Sequence, residues 1–338
     1  MTARPRSYNQ VHIPRPYTPG RRRVSMYVAW SYPAEANRDV AVMDNRFSTM
    51  TEVRRVAWPD YESPPYGDAA MFSQGIAGSL ELFFRAWELF QQRVGEVTGH
   101  PVAVFQRVDH AGYQLPLDDR VLGDTDTLLL FGLDHMVTNQ EAAPEEIEAL
   151  RQFLAREWTC LVLGPHHEVG VSNDLQERAM EYAHHGDPLV PRQQRFGKYT
   201  RSVMQGLGIP VENRHGLRPA VIPGTKTIAP LSVNRDLDTR NWLDGVESFN
   251  FHMHLPHYAV TADDNQVSVL ATQPIDLSRP HPFTEAGNRE FNACVWIRPS
   301  GKRAGDILMV DSTVFSTLFG VDRSLERFWR NIATASLN

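Results

Sequence analysis

Two short segments decide the fold of this chain: residues 126–135 (DTLLLFGLDH) and residues 159–170 (TCLVLGPHHEVG). Each contains an apolar run that stops at a glycine, which is typical of a parallel strand buried on both faces. Between them, Pro144 occupies the first turn of a predicted helix, and Ile147 and Leu150 follow it at helical spacing. The order strand, helix, strand predicts two neighbouring parallel strands.

Polar side chains follow both predicted strands. Asp134 and His135 follow the first strand, and His166, His167 and Glu168 follow the second. Ligands of open α/β sheets bind beyond the carboxyl ends of the strands, so we predict that these five residues are catalytic. An Asp beside a His orients the ring and raises its pKa, which is what a general base requires.

The rest of the chain repeats the alternation of strand and helix. We therefore predict an α/β fold: a flavodoxin-like, mainly parallel sheet with helices on both faces and irregular insertions. The central strands are predicted at 24–30, 101–107, 127–132 and 159–163. The other predicted elements are helices at 79–97, 174–184, 194–207 and 324–333, and strands at 249–254, 267–271, 292–297 and 306–310. Asp311, after the last of these strands, is a further acid at a strand end.

The domain organisation is predicted to be an arm followed by one domain. Residues 1–23 are rich in Arg, Pro and Tyr and have no hydrophobic periodicity, so they form an arm without a core of its own. Residues 24–338 form a single α/β domain with insertions at 33–75 and 185–248. Such an arm needs a surface to lie on, which predicts a homo-oligomer held through residues 1–20.

Composition and charge exclude two classes of partner. The 338 residues include 34 Lys and Arg against 40 Asp and Glu, a net charge of -6, which lacks the basic surface that nucleic acid requires. No apolar stretch approaches the roughly 20 residues that span a bilayer, so no membrane partner is expected. Cys160 and Cys294 each lie in an apolar run and are predicted to be buried free thiols. The expected partner is a small-molecule substrate, and the expected location is the reducing cytoplasm.

A second cluster of histidines lies at residues 251–257 (FHMHLPH). On a strand, side chains two positions apart share a face, so His252 and His254 point the same way, and His257 returns after a break at a proline. Neutral imidazoles side by side suit zinc or iron, with a carboxylate completing the site. We therefore predict a divalent transition metal held by His252, His254, His257 and Glu168.

The order of these elements resembles the class I glutamine-amidotransferase-like superfamily, and most nearly its ThuA-like branch. The resemblance rests on the strand ending near Gly132, the acidic start of the helix at Pro144, the turn at 164–166 and a late strand at 305–311 followed by a helix. It covers residues 24–335 by pattern and implies the fold of that superfamily.

The resemblance does not imply glutaminase chemistry. The amidotransferases have a nucleophilic cysteine where this chain has His166, and Cys160 lies within the preceding strand. ThuA-like proteins are similar in having a histidine at this position, and their activities are diverse and associated with sugars. The resemblance therefore implies a fold and not a reaction.

A weaker resemblance is to the large subunit of dimethylformamidase. That protein has an H-x-E pair at a strand end, which His166 and Glu168 match, although the two aromatic residues that usually follow are Val169 and Gly170 here. The resemblance implies that Glu168 binds iron with two tyrosines, while His166 lies near the reacting amide. The tyrosines considered for this role are Tyr61, Tyr66, Tyr199 and Tyr258.

Three functions fit these observations. The first is a metal-dependent hydrolase of a small polar substrate, cleaving an amide-type C–N bond without a Cys nucleophile. The second is a metal-free α/β enzyme in which His166 and Glu168 act as acid and base. The third is a non-catalytic ligand-binding or assembly protein with the same fold. We expect the first, because two groups of histidines fall where a metal and its proton-transfer residues are needed.

Overall fold

A computed structural model gives the fold of most of the chain. It describes residues 15–29, 85–110, 113–132, 140–166, 168–169, 172, 174–185, 194–195, 198–250, 252, 254–262 and 265–335. The predicted insertion at 33–75 and residues 1–14 of the arm lie outside these ranges.

Eight strands form one mixed, mostly parallel sheet. They are β1 (Val24–Ala29), β2 (Ala103–Gln106), β5 (Thr127–Gly132), β6 (Cys160–Pro165), β10 (Ser232–Val233), β12 (Val267–Pro274), β13 (Glu290–Ile297) and β14 (Asp306–Val310). Five of these strands run parallel in the order β2-β1-β5-β6-β14. The sheet continues from β14 through three antiparallel strands, β13, β12 and β10. Three antiparallel pairs lie outside the sheet: β3 (Val108–His110) with β4 (Tyr113–Leu115), β7 (Glu168–Val169) with β8 (Gln194–Arg195), and β9 (Val211–Leu217) with β11 (Leu255–Val260).

Helices connect the strands and cover the sheet. They are α1 (Glu88–Thr98), α2 (Asp119–Leu122), α3 (Pro144–Leu154), α4 (Leu175–His185), α5 (Lys198–Leu207), α6 (Pro282–Glu285) and α7 (Arg323–Thr334), with a 3₁₀ helix at Ser312–Phe315. Among the described residues, no helix is both long enough and apolar enough to cross a bilayer.

The parallel strands are buried on both faces, as their unbroken apolar sequences predict. Alternate residues of β5 enter opposite halves of the core: Leu129 and Phe131 pack on the side of α1 and α7, whereas Leu128 and Leu130 pack on the side of α3 and α5. This two-sided burial confirms the α/β architecture.

The predicted strand pairing is confirmed, and one strand end is corrected. TLLLF in β5 and CLVL in β6 are parallel neighbours. The predicted turn at Gly164 is wrong, because β6 continues through Pro165, which pairs with Gly132. Gly164 is needed for close packing: a Cβ there would lie 3.0 Å from Phe131 and from Ser312.

Two further predictions are corrected. Of the strand predicted at 249–254, the described residues 249, 250, 252 and 254 are not in a strand; the strand β11 begins at Leu255 instead. The helix predicted from residue 194 begins at Lys198, because Gln194 and Arg195 pair with β7. Of the helix predicted at 79–97, residues 79–84 lie outside the described ranges, and the described part includes the helix Glu88–Thr98.

The described end of the arm lies against its own chain. Arg15 is 3% exposed, and its guanidinium donates to Ser25 Oγ at 2.8 Å and to the backbone oxygen and carboxylate of Asp124. A buried guanidinium requires such partners. Arg15 is therefore part of the fold, while the predicted subunit contact of the arm stays a prediction.

Candidate metal centre

The centre begins where two neighbouring parallel strands end. His166 follows β6 and Asp311 follows β14, so both emerge at the same edge of the sheet. His166 Nδ1 lies 2.9 Å from Asp311 Oδ2. Both residues are buried.

Asp311 is held as a carboxylate. It caps the 3₁₀ helix by accepting from Thr313 N at 2.8 Å, and the Thr313 hydroxyl donates to the same oxygen. Burial alone would raise the pKa of Asp311, but the nearby His166 and His252, together with these hydrogen bonds, lower it below its usual value. Because a carboxylate only accepts, Nδ1 of His166 is the donor in this hydrogen bond, and in the neutral ring Nε2 is the nitrogen that carries the lone pair.

Two more imidazoles converge on His166. The ring centroids of His252 and His254 lie 5.4 and 5.7 Å from that of His166, and 4.2 Å from each other. The three side chains offer ligand atoms within 4.8 Å of one another, and all three are buried. We call His166, His252 and His254 the first cluster.

The His252 ring is held by the backbone of His254. Its Nδ1 lies within hydrogen-bond distance of both the backbone oxygen and the backbone nitrogen of His254, and in the tautomer that donates to the oxygen Nε2 carries the lone pair. Burial first, and the nearby His166 second, lower the pKa of His252 to about 3. The ring is therefore neutral at physiological pH, which is the form that binds a metal.

Neighbouring segments hold the centre in place. Arg201 and Asn213 both donate to the backbone oxygen of His166, and the hydroxyl of Tyr258 donates to Pro165 O at 3.3 Å. On the other side, the Phe319 ring lies edge-on, 4.0 Å from the ring of His252. The first cluster is thus rigid at its backbone and partly covered by an aromatic ring.

His257, predicted to be a ligand with His252 and His254, does not join the first cluster. Its Nδ1 accepts from Asn292 N at 3.1 Å, and its ring packs on Phe283 at 4.8 Å. Successive side chains of a strand point to opposite faces, and the neighbouring Tyr258 of β11 points towards Pro165, so His257 points away from the first cluster.

The other predicted site residues are not placed by the structure. The backbone of Glu168 belongs to β7, but its side chain is outside the described part of the structure. Asp134, His135 and His167 also lie outside the described residues. Their catalytic roles stay predictions.

The tyrosines suggested by the weaker resemblance are already engaged where they are described. The Tyr199 hydroxyl donates to Glu146 at 2.9 Å, and Tyr258 donates to Pro165. Burial raises the pKa of both hydroxyls well above the usual value, which opposes the phenolate form that binds iron. Tyr61 and Tyr66 are outside the described ranges.

Both cysteines are free and buried, as predicted. Burial raises the pKa of Cys160 to about 12 and that of Cys294 well above its usual value. Neither thiol is ionised at neutral pH, so neither is a nucleophile.

The first cluster can hold one divalent ion. Three imidazoles, one of them with a carboxylate on its far nitrogen, match the His₃ donor set that binds zinc and keeps a position open for water. A scan of the chain against protein-family models found no match, and a search of curated proteins found none either. The case for function therefore rests on the chemistry of the site.

Proposed function

We propose that this protein is a metal-dependent hydrolase of a small polar substrate, with His166, His252 and His254 as its metal ligands. One observation carries the proposal: three buried imidazoles converge on one point, and Asp311 accepts a hydrogen bond from the far nitrogen of one of them. Buried polar groups without such a use are costly to the fold.

The donor set fits zinc or iron. Imidazole nitrogen is a borderline ligand that suits both metals, and three such ligands leave room for water and substrate. A metal in this position would lower the pKa of a bound water and polarise the scissile carbonyl.

The residues of the chain have separable tasks in this mechanism. Asp311 orients His166 and fixes which ring nitrogen faces the metal position, while the backbone oxygen of His254 fixes the ring of His252. Phe319 covers one side of His252 and limits access by solvent. Glu168 stays the predicted group that moves a proton between water and the leaving nitrogen.

We also propose that the fold is flavodoxin-like and related to the class I glutamine-amidotransferase-like superfamily. The order of the five parallel strands supports this, because numbered along the chain it is 2-1-3-4-5, the order of doubly wound flavodoxin-like sheets. His166 stands at the end of the fourth parallel strand, where the resemblance expects the reactive position.

A metal-free acid and base is the second candidate. The hydrogen bond between His166 and Asp311 favours it, because a histidine oriented by a buried carboxylate is also the arrangement of a general base. This candidate gives no role to His252 and His254, so it predicts turnover in protein stripped of metal.

The deciding experiment measures metal and turnover together. Protein purified without a polyhistidine tag is analysed for metal by mass spectrometry and assayed against small amides. His254→Ala should lose one metal equivalent and all turnover, whereas His257→Gln, at a histidine outside the first cluster, should keep both. Unchanged metal content in His254→Ala, or full turnover after chelation, would contradict the metal-dependent mechanism.

A further inference from the structure

Three other metal-ligating side chains meet away from the first cluster. They come from three elements: Glu181 from α4, His215 from β9 and His281 from the residue before α6. Their ligand atoms lie within 4.8 Å of one another. We call Glu181, His215 and His281 the second cluster.

The separations match those between ligands of one metal ion. His215 Nδ1 lies 3.2 Å and His281 Nε2 lies 3.7 Å from Glu181 Oε1. Tetrahedral zinc with bonds of about 2.0 to 2.1 Å places its ligand atoms about 3.3 Å apart. The longer separation, between His281 Nε2 and Glu181 Oε1, is too great for a hydrogen bond. A small movement of the two side chains would bring these atoms to the distance between two ligands of one zinc ion.

His281 points an unused nitrogen at this place. The residue is completely buried, and its Nε2 has no hydrogen-bond partner among the described residues. Its Nδ1 accepts from Phe283 N at 3.0 Å, so Nε2 carries the ring proton when no metal is bound. If a metal binds Nε2, the ring proton moves to Nδ1, and the hydrogen bond from Phe283 N at the start of the four-residue helix is lost. The free energy of this one capping bond is small compared with the free energy of binding a metal ion.

His215 is turned towards Glu181 by its backbone. In the pairing of β9 with β11, Gly216 lies opposite Pro256 and Arg214 opposite His257, so His215 is the extra residue of a β-bulge. Its φ of 49° is unusual for a residue other than glycine. Such backbone outliers gather at functional sites.

The neighbouring histidines are committed elsewhere. His184 accepts from Arg218 N at 2.8 Å and faces the backbone oxygen of Arg279 at 3.2 Å. His257 accepts from Asn292 N. The ligand set is therefore two imidazoles and one carboxylate, a combination that suits zinc and leaves a position for water.

We propose that Glu181, His215 and His281 bind a second divalent ion of the zinc class, which joins α4, β9 and the start of α6. The proposal does not depend on the metal-dependent hydrolase described for the first cluster. Neither its ligands nor the elements that carry them are shared with that site.

The test counts metal equivalents in the parent protein and in four variants, one of which is the His254→Ala variant of the first cluster. Untagged full-length protein is stripped with a chelator, dialysed, and titrated with Co²⁺ and with Zn²⁺; bound metal is measured by mass spectrometry, and Co²⁺ also by its visible absorption. His281→Asn removes the ligand nitrogen but keeps a residue that caps helices well. Glu181→Gln removes the carboxylate at almost the same size. His184→Gln is the matched control, because His184 lies beside His281 at 5.0 Å between ring centroids without belonging to the ligand set.

The expected result is two equivalents in the parent and in His184→Gln, and one in His281→Asn and in Glu181→Gln. If His254→Ala also keeps one equivalent, the two sites are independent. One equivalent in the parent that disappears only in His254→Ala overturns the second site and leaves the hydrolase proposal standing. One equivalent that disappears only in His281→Asn supports the second site and counts against the first. If His281→Asn does not fold, as judged by circular dichroism, Glu181→Gln gives the same decision.

Discussion

The first and second clusters contain similar residues, but they use their carboxylates differently. In the first cluster, Asp311 lies behind His166 and accepts from its far nitrogen. In the second, Glu181 lies between His215 and His281 and is itself a potential ligand. A carboxylate behind an imidazole tunes a metal that still has an open position, whereas a carboxylate in the ligand set binds the metal directly. The two proposals therefore differ in role: the first cluster would carry out chemistry, and the second would cross-link the fold.

The largest expected effect is the loss of turnover in His254→Ala. In the proposed mechanism a metal at the first cluster would stabilise the transition state by about 4 kcal/mol or more, so turnover should fall by roughly 10³-fold or more. Turnover of purified protein on the best small amide measures this. The difference between the clusters predicts that His281→Asn keeps turnover within about tenfold of the parent. Equal losses of turnover in His254→Ala and His281→Asn would contradict the different roles proposed for the two clusters.

The two carboxylates should differ in metal affinity. Asp311→Asn keeps an oxygen for His166 but removes the charge, so Zn²⁺ affinity at the first cluster should fall by about 10- to 100-fold with the site still present. Glu181→Gln should remove the second equivalent altogether. Competition with a chromophoric chelator measures both affinities. Complete loss of metal in Asp311→Asn would mean that Asp311 is itself a ligand.

His257 should influence stability at low pH and not metal binding. Burial first, and the charges of His215 and Arg214 second, lower its pKa to about 4 in the folded chain. An unfolded histidine takes up a proton near pH 6.5, so folding is opposed as the pH falls from about 6.5 to 4, by at most about 1.4 kcal/mol per pH unit. In metal-free protein, the free energy of unfolding, measured with urea, should therefore fall less steeply with decreasing pH in His257→Gln than in the parent. The same dependence on pH in parent and variant would contradict the lowered pKa of His257.

The smallest expected effect is that of Phe319→Ala. The ring touches His252 in the first cluster from a partly exposed position. Its removal should change the KM for the amide by less than about tenfold, because a single apolar contact in a pocket discriminates only weakly. Metal content at both clusters should stay at the parent value. A loss of metal in Phe319→Ala would show that the ring supports the ligands themselves.

The centre of the fold was predictable because its signals are local. Buried parallel strands have continuous apolar sequences, and TLLLF and CLVL predicted a pair that the sheet confirms. Of the three antiparallel strands beyond β14, β12 and β13 were predicted as strands, but nothing in a single sequence specifies their direction. The two-residue strand β10 was missed, because it lies in a predicted irregular insertion.

The first cluster was only partly predictable. His166, His252 and His254 were predicted for functional roles, the first as catalytic and the other two as ligands, because they stand near strand ends or in a dense local pattern. The predicted strand at 249–254 failed because side chains there bond to the backbone: His252 binds the oxygen of His254, and Asn250 donates to Thr313 O. Such local bonds compete with the hydrogen bonds of a strand.

The second cluster was missed because its residues are far apart in sequence. Glu181 lies in the helix predicted at 174–184, whereas His215 and His281 lie in no predicted element, and the three residues show no spacing that marks them as a group. Only the packing of α4, β9 and the start of α6 brings them together. A β-bulge at His215, which has no sequence signature here, completes the approach.

The position of β14 has a consequence for protein synthesis. This strand is the last of the sheet to leave the ribosome, yet it lies in the middle of the sheet, between β6 and β13. Until residues 306–311 emerge, β6 is an open edge that invites pairing with other chains, and His166 lacks the carboxylate that orients it. Nascent chains that stall before this point should depend on chaperones and should bind no metal at the first cluster with native affinity.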